Sequence, residues 1–178
     1  MENFNRFIDV VKKYAEAYRD FEKIQKATDF DFVPEIGDQK TGIIGESFIF
    51  EYLKRQGYKG IEFGGHSQKG WDIKHSHGLA PNGVVYVQVK TVSAFAKRKR
   101  ISPIHLAPDY CELYLVHLNE ELIPDSIWKP KGFNSAKMKG QVVTGTRMPK
   151  DENDTGSGFT GLENIFEDFK KTFPELYQ

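Results

Sequence analysis

Asp72, Gln88 and Lys90 are the residues of this chain whose types and spacing best suit chemistry. Residues 84–90 alternate in a way that predicts a strand, so Gln88 and Lys90, two apart, leave the same face. Val85, Val87 and Val89 form the alternate set, expected to face the core. If a hairpin pairs residue 76 with residue 84, antiparallel geometry puts 72 opposite 88, with Cβ atoms roughly 4.5–5.5 Å apart. A carboxylate, an amide oxygen and an ammonium then share a small volume. Mg²⁺ and Mn²⁺ prefer such oxygens. A lysine beside the bound ion can orient or activate a water and stabilise charge developing at phosphorus. The plain alternative for Gln88 and Lys90 is a solvated polar strand face, and Asp72 weighs against it.

Glu46 is expected to complete this group. It falls in the first turns of a predicted helix, with Phe50 and Leu53 at i+4 and i+7, and a carboxylate on a stripe shared with core residues is unusual. The competing explanation is an acid stabilised by the dipole near a helix N-terminus. Lys97, Arg98, Lys99 and Arg100 follow the strand closely and would grip phosphates without reading sequence. Charge runs are more often solvated loops. Ser67 and Ser93 flank the group and can hydrogen-bond a phosphate or a metal-bound water, although each also suits an ordinary loop or strand end. Trp71 and Tyr86 read as core or site-wall aromatics, with base stacking the alternative. His66, His75 and His77 suggest zinc only weakly, because the chain has one cysteine, Cys111, and no paired-histidine helix motif. No phosphate-cradling glycine motif is present.

The elements that must position these residues follow from periodicity and turn chemistry. Phe4, Phe7, Ile8, Val11, Tyr14, Ala15, Tyr18 and Phe21 predict an amphipathic helix over 4–26. A loop over 28–40 leads to a second helix over 41–56, with Thr41 as N-cap and Gly57 as stop. Strands are expected over 58–63, 71–76 and 84–90. The last two are joined through Pro81 and Asn82-Gly83. Residues 91–110 read as loop with a short helix. Residues 112–118 read as a buried central strand, with a further strand near 126–129. Residues 149–161 read as a flexible linker, and Leu162, Ile165, Phe166, Phe169 and Phe173 predict a final helix over 162–175. Together these give an α/β domain with a mixed sheet covered by helices.

Length and composition agree with one domain: a core over about 41–130, an N-terminal helical extension over 1–40, and a C-terminal linker and helix over 149–178. A hydrophobic fraction of 39% excludes global disorder. No signal peptide and no apolar run near 18 residues is readable, so a cytoplasmic protein without membrane contact is expected. The lone cysteine suits a reducing interior. Net charge is zero, so affinity for a polyanion has to come from a local basic face.

Gly45-Glu46, Gly70-Trp71-Asp72 and Val87-Gln88-Val89-Lys90, in this order, resemble the motifs of the PD-(D/E)XK nuclease superfamily, most of all restriction-endonuclease-like members, such as the Mrr type, with a Gln-x-Lys variant. Gly45-Glu46, Ser67-Gln68-Lys69-Gly70-Trp71-Asp72 and Gln88-Val89-Lys90-Thr91 also resemble restriction-associated bacterial domains. The resemblance spans about residues 41–120. It implies a restriction-endonuclease-like core and a Mg²⁺- or Mn²⁺-dependent endonuclease acting on DNA, of restriction or defence type. Asp72 and Gln88 would be ligands, the Val89 carbonyl another, Lys90 would serve the catalytic water, and Glu46 would help hold the metal. The commoner motif has an acid where this chain has Gln88, and a neutral amide weakens cation binding. An inactive nucleic-acid-binding module on the same fold, or a repair or junction nuclease, therefore remains an alternative. Oligomeric state is not readable from the sequence, although cutting both strands with so small a domain often takes two copies, which leaves a homodimer open.

Overall fold

The computed structural model describes residues 2–27, 39–64, 70–78, 80, 82–96, 100–101, 104–105, 111–130, 142–143, 147–154, 157–159 and 161–177. Its elements, in chain order, begin with α1 (Glu2–Ala27), α2 (Gln39–Arg55), β1 (Lys59–Phe63), β2 (Ile73–Ser76) and β3 (Val84–Ser93). They continue with β4 (Ile104–His105), β5 (Cys111–Leu118), β6 (Pro124–Pro130), β7 (Val142–Val143), β8 (Leu162–Asn164) and α3 (Phe166–Thr172). A single 3₁₀ turn, Pro174–Leu176, follows.

A six-stranded sheet runs in the order β1-β2-β3-β5-β6-β8. Only the central β3–β5 pair is parallel, and all its neighbours are antiparallel, so the architecture is α/β with a mixed sheet. Strand alternation sends Val85, Val87 and Val89 to one face, with Tyr114, Val116 and Leu118 of β5. The three helices cover that face with Phe4, Ile8, Val11 and Ala15 from α1, Phe48, Ile49 and Leu53 from α2, and Phe169 from α3. Both terminal helices thus bury aromatics in the same core. Phe4 packs against Phe48 and Phe173, at ring distances of 6.1 and 5.3 Å. The opposite face carries a smaller cluster, in which Val92, Leu113, Leu115, Trp128 and Leu162 pack with Ile101, Ile104 and Phe159. Ile104 belongs to a two-stranded ribbon of β4 and β7.

Local chemistry accounts for the elements that hold the site. α2 buries Ile44, Phe48, Ile49, Tyr52 and Leu53, a stripe at three- and four-residue spacing. It ends where Gly57 turns left-handed (φ 85°). There Tyr58 N–H returns to the Leu53 carbonyl (3.2 Å) and Gly57 N–H to that of Lys54 (3.1 Å), so the last carbonyls are satisfied. The β2–β3 hairpin closes through Gly83 (φ 67°), whose carbonyl accepts from His77 N–H at 2.9 Å. Its register pairs Ser76 with Val84, the pairing assumed above for the hairpin.

Four expectations need correction. Residues 91–93 are not loop: β3 runs on to Ser93 because β5 pairs with it as far as Leu118. Residues 104–105, also expected as loop, form β4. The final helix does not begin at 162, since 162–164 form β8 against β6 and the helix covers only Phe166–Thr172. Residues 149–161 are no simple linker where described, because Arg147 holds Asp154 through two bonds of 2.6 and 2.9 Å. Ser157 and Phe159 are buried there as well. Thr41 lies inside α2, which begins at Gln39, so it is not the cap. Most of the expected loop over 28–40 falls outside the described residues.

Candidate metal and phosphate site

Asp72 lies one residue beyond the last ladder pair of the hairpin, Ile73 with Val87. Its N–H donates to the Val87 carbonyl (2.8 Å) and its Oδ2 accepts from Val89 N–H (2.7 Å). The residue therefore straddles Gln88. The carboxylate takes the ladder position that a longer β2 would fill with a backbone carbonyl, and a charged acceptor makes a stronger bond there. Gly64 N–H donates to the Asp72 carbonyl at 2.7 Å and holds the segment from the other side. Within an extended strand, N–H and C=O of one residue point to the same edge. The Val89 carbonyl therefore also points toward the edge where β2 has stopped.

Gln88 is 4% exposed, and its Oε1 has no hydrogen-bond partner. A buried amide oxygen left unsatisfied costs about 1–3 kcal/mol. Lys90, two residues on, leaves the same face and is partly exposed.

Glu46 reaches this end of the strand because α2 crosses β3 at close range. A Cβ at Gly45 would overlap Thr91 Oγ1 and lie 2.9 Å from Thr91 Cγ2, so only glycine lets the helix approach this closely. Burial raises the Glu46 carboxyl from 4.5 to about 7; the Asp72 charge adds to the rise and Lys90 opposes it. Asp72 is also raised, mainly by burial, against the lowering effects of the Val89 N–H and Lys90. In both carboxyls the loss of water on burial is the largest cause, and it disfavours the charged form.

A hard divalent cation fits this donor set. It offers oxygens only, from Asp72, Glu46, the unpartnered Gln88 Oε1 and the edge-facing Val89 carbonyl. Among the described residues no three His, Cys, Asp or Glu side chains gather as a metal-binding group.

The other residues singled out from the sequence are placed differently. Ser93 is 2% exposed and ends β3 opposite Leu118, so its side chain is interior. Arg100 is exposed and bridges to Arg147. Ser67, Lys97, Arg98 and Lys99 lie outside the described residues, as does His66. His75 is buried edge-on against Tyr58, at 4.6 Å, and burial lowers its proton affinity. Sequence reasoning missed Thr91, whose buried Oγ1 lacks a partner and whose side chain meets Gly45. The available signal was Gly45 itself, because a glycine inside a helical pattern often marks a close approach. A cavity of about 380 Å³ lies between α1, α2 and β1, lined by Phe7, Ser47, Phe50 and Phe63, and none of the four proposed site side chains lines it. No helix among the described residues is long and apolar enough to cross a membrane. No protein-family model matches this chain and no curated protein matches it, so the chemistry of the Glu46, Asp72, Gln88 and Lys90 group is read from its geometry.

Proposed function

We propose that the protein is a metal-dependent endonuclease that hydrolyses DNA phosphodiester bonds, of restriction or defence type. The observation that carries this reading is the Asp72 carboxylate tied to Val89 N–H and charge-coupled with Lys90 to Glu46, on the strand that also holds the buried, unpartnered Gln88 Oε1. Mg²⁺ or Mn²⁺ held by Asp72, Gln88, Glu46 and the Val89 carbonyl would supply Lewis-acid stabilisation of charge on the phosphoryl oxygens. Lys90, on the same strand face as Gln88, orients the attacking water and stabilises the developing negative charge. Asp72 is held in place by three backbone bonds, so it meets the ion without reorganising. Lys97, Arg98, Lys99 and Arg100, close behind β3 in sequence, would neutralise flanking phosphates, and Ser67, before Asp72, would hydrogen-bond one. A cytoplasmic location suits a lone thiol at Cys111, and a homodimer supplies a second site for the opposite strand.

The neutral amide of Gln88 favours a second reading, an inactive nucleic-acid-binding module, since two acids compensate a divalent ion less well than three. Incubating wild type, Lys90→Ala and Asp72→Asn with plasmid, linear and single-stranded DNA in Mg²⁺ or Mn²⁺ separates the two. Catalysis at this site predicts loss of about 100-fold or more in cleavage rate for each variant. Cleavage that persists in both variants sinks the site. DNA binding without cleavage in any metal favours the module. Gln88→Glu should tighten metal dependence, and no change would argue against residue 88 as a ligand.

A further inference from the structure

We propose that Trp71 and Tyr86 form a stacking platform for an unpaired nucleobase next to the bound phosphodiester, so that the strand is held with at least one base out of the duplex stack. This rests on the nuclease reading and narrows its substrate class. Trp71 directly precedes Asp72, and Tyr86 lies two residues before Gln88, so alternation sends it to the face that carries Gln88 and Lys90. The two rings lie 5.4 Å apart at 53°.

Both rings are partly exposed, and neither belongs to either apolar core cluster. Among the described residues, the cluster on this face takes only Val92 from β3 and no residue from β1 or β2, so the pair stands apart from it. Gly64 passes against the indole: a Cβ there would lie 3.3 Å from Trp71 Cζ3. The same glycine donates to the Asp72 carbonyl, which ties the ring's position to that of the proposed ligand. Lys74, the cross-strand partner of Tyr86, adds a cation to this face, with its ammonium 2.9 Å from Glu62.

Two aromatic rings and a lysine running into a phosphate-chemistry site match single-stranded nucleic acid, where bases stack on side chains and the backbone follows positive charge. A base paired inside a duplex offers no open face to such rings.

The test uses the full chain with Trp128→Phe, which leaves Trp71 as the only tryptophan, because the chain has two and Trp128 is 6% exposed. Emission is followed during titration with a 12-nucleotide single strand, the same strand with abasic sites, and a blunt duplex. EDTA keeps the DNA intact, and a Lys90→Ala background is used in Mg²⁺. The platform predicts quenching by the normal single strand, with little from the abasic strand or the duplex. It also predicts a Kd weakened about 5- to 150-fold in Trp71→Ala, read from the anisotropy of a fluorescein-labelled single strand because the Trp71 variants lack the tryptophan reporter. Trp71→Phe, which keeps a ring, should recover most of that affinity, so a folding defect is told apart from a lost stack. Equal quenching and affinity for the abasic strand, no quenching by any of the three, or full affinity in Trp71→Ala overturns the platform. Base-dependent quenching without cleavage by the wild type would leave the platform standing and remove the nuclease reading. Cleavage without base dependence would do the reverse.

Discussion

β3 and β5 lie side by side at the centre of one sheet, run parallel and share a register, yet they send different chemistry to the same face. Gln88 pairs with Leu113 and Lys90 with Leu115. Leu113 and Leu115 are fully buried in the smaller apolar cluster, whereas their β3 neighbours are an amide with an unpartnered oxygen and a lysine. On the helix-covered face the two strands agree, with Val87 and Val89 beside Tyr114 and Val116. Stability alone would make β3 resemble β5, because an unsatisfied buried amide costs about 1–3 kcal/mol and a leucine of similar size does not. The difference marks β5 as scaffold, and under the proposed function it marks β3 as the strand on which stability is given up for chemistry.

Substitutions that widen or close this difference test it. Leu115→Ala on β5 should cost about 2–5 kcal/mol in denaturant unfolding, through lost burial and a residual cavity. A loss well below that range would mean that β5 is less tightly packed than its burial indicates. Gly45→Ala should cost about 1–3 kcal/mol by overpacking against Thr91 and should also slow cleavage, since it lifts the helix that carries Glu46. Adding Thr91→Ala to it should restore part of both, and strict additivity of the two substitutions would rule out the contact.

Glu46 gives a pH signature. Its carboxyl has a higher proton affinity in the fold than when unfolded, rising from 4.5 to about 7. The folded protein therefore binds more protons than the unfolded chain between these values, and stability falls as pH rises through that window. Glu46→Gln should remove this fall. After discounting for solvent screening, it should gain about 1–2 kcal/mol over wild type at pH 8 and almost nothing at pH 4. Thermal melts at both pH values check this, at about 2–4 °C per kcal/mol. A gain of equal size at both pH values would point to packing instead of charge. The smallest effect is expected from Gln88→Leu, which should stabilise by roughly 1 kcal/mol while weakening any Mg²⁺-dependent rise in melting temperature. Destabilisation would show that the amide is better satisfied than its geometry indicates.

Much of the hairpin was legible in the sequence. The hairpin itself followed from Asn82-Gly83 and the alternating valines, because turn chemistry and a period of two are local properties, while its 76-to-84 register was an assumption that the fold matches. The last three residues of β3 were not legible, since Thr91, Val92 and Ser93 are held in extended form by β5 residues 116–118. β8 was misread for a related reason. Leu162, Ile165, Phe166, Phe169 and Phe173 fit a helical period, but Glu163 and Asn164 pair with Lys129 and Trp128, a contact that no local window contains. At the site, the sequence suggested that Asp72 stands directly across from Gln88. The fold has it straddling that residue, bonded to the backbone of 87 and 89, because the strand ladder ends one residue earlier.

The Asp72, Gln88 and Lys90 group was therefore determined by the sequence alone in its membership and its shared strand face, because alternation and a two-stranded hairpin depend only on near neighbours. Three things were left to the tertiary structure. The approach of Glu46 needed the bare glycine of α2 against Thr91, and the burial of Gln88 belongs to a β3 flanked by β2 and β5 inside the sheet. The proton affinities of both carboxyls followed from that burial. Each depends on distances between segments far apart in the chain, and desolvation and charge coupling arise only once those segments meet.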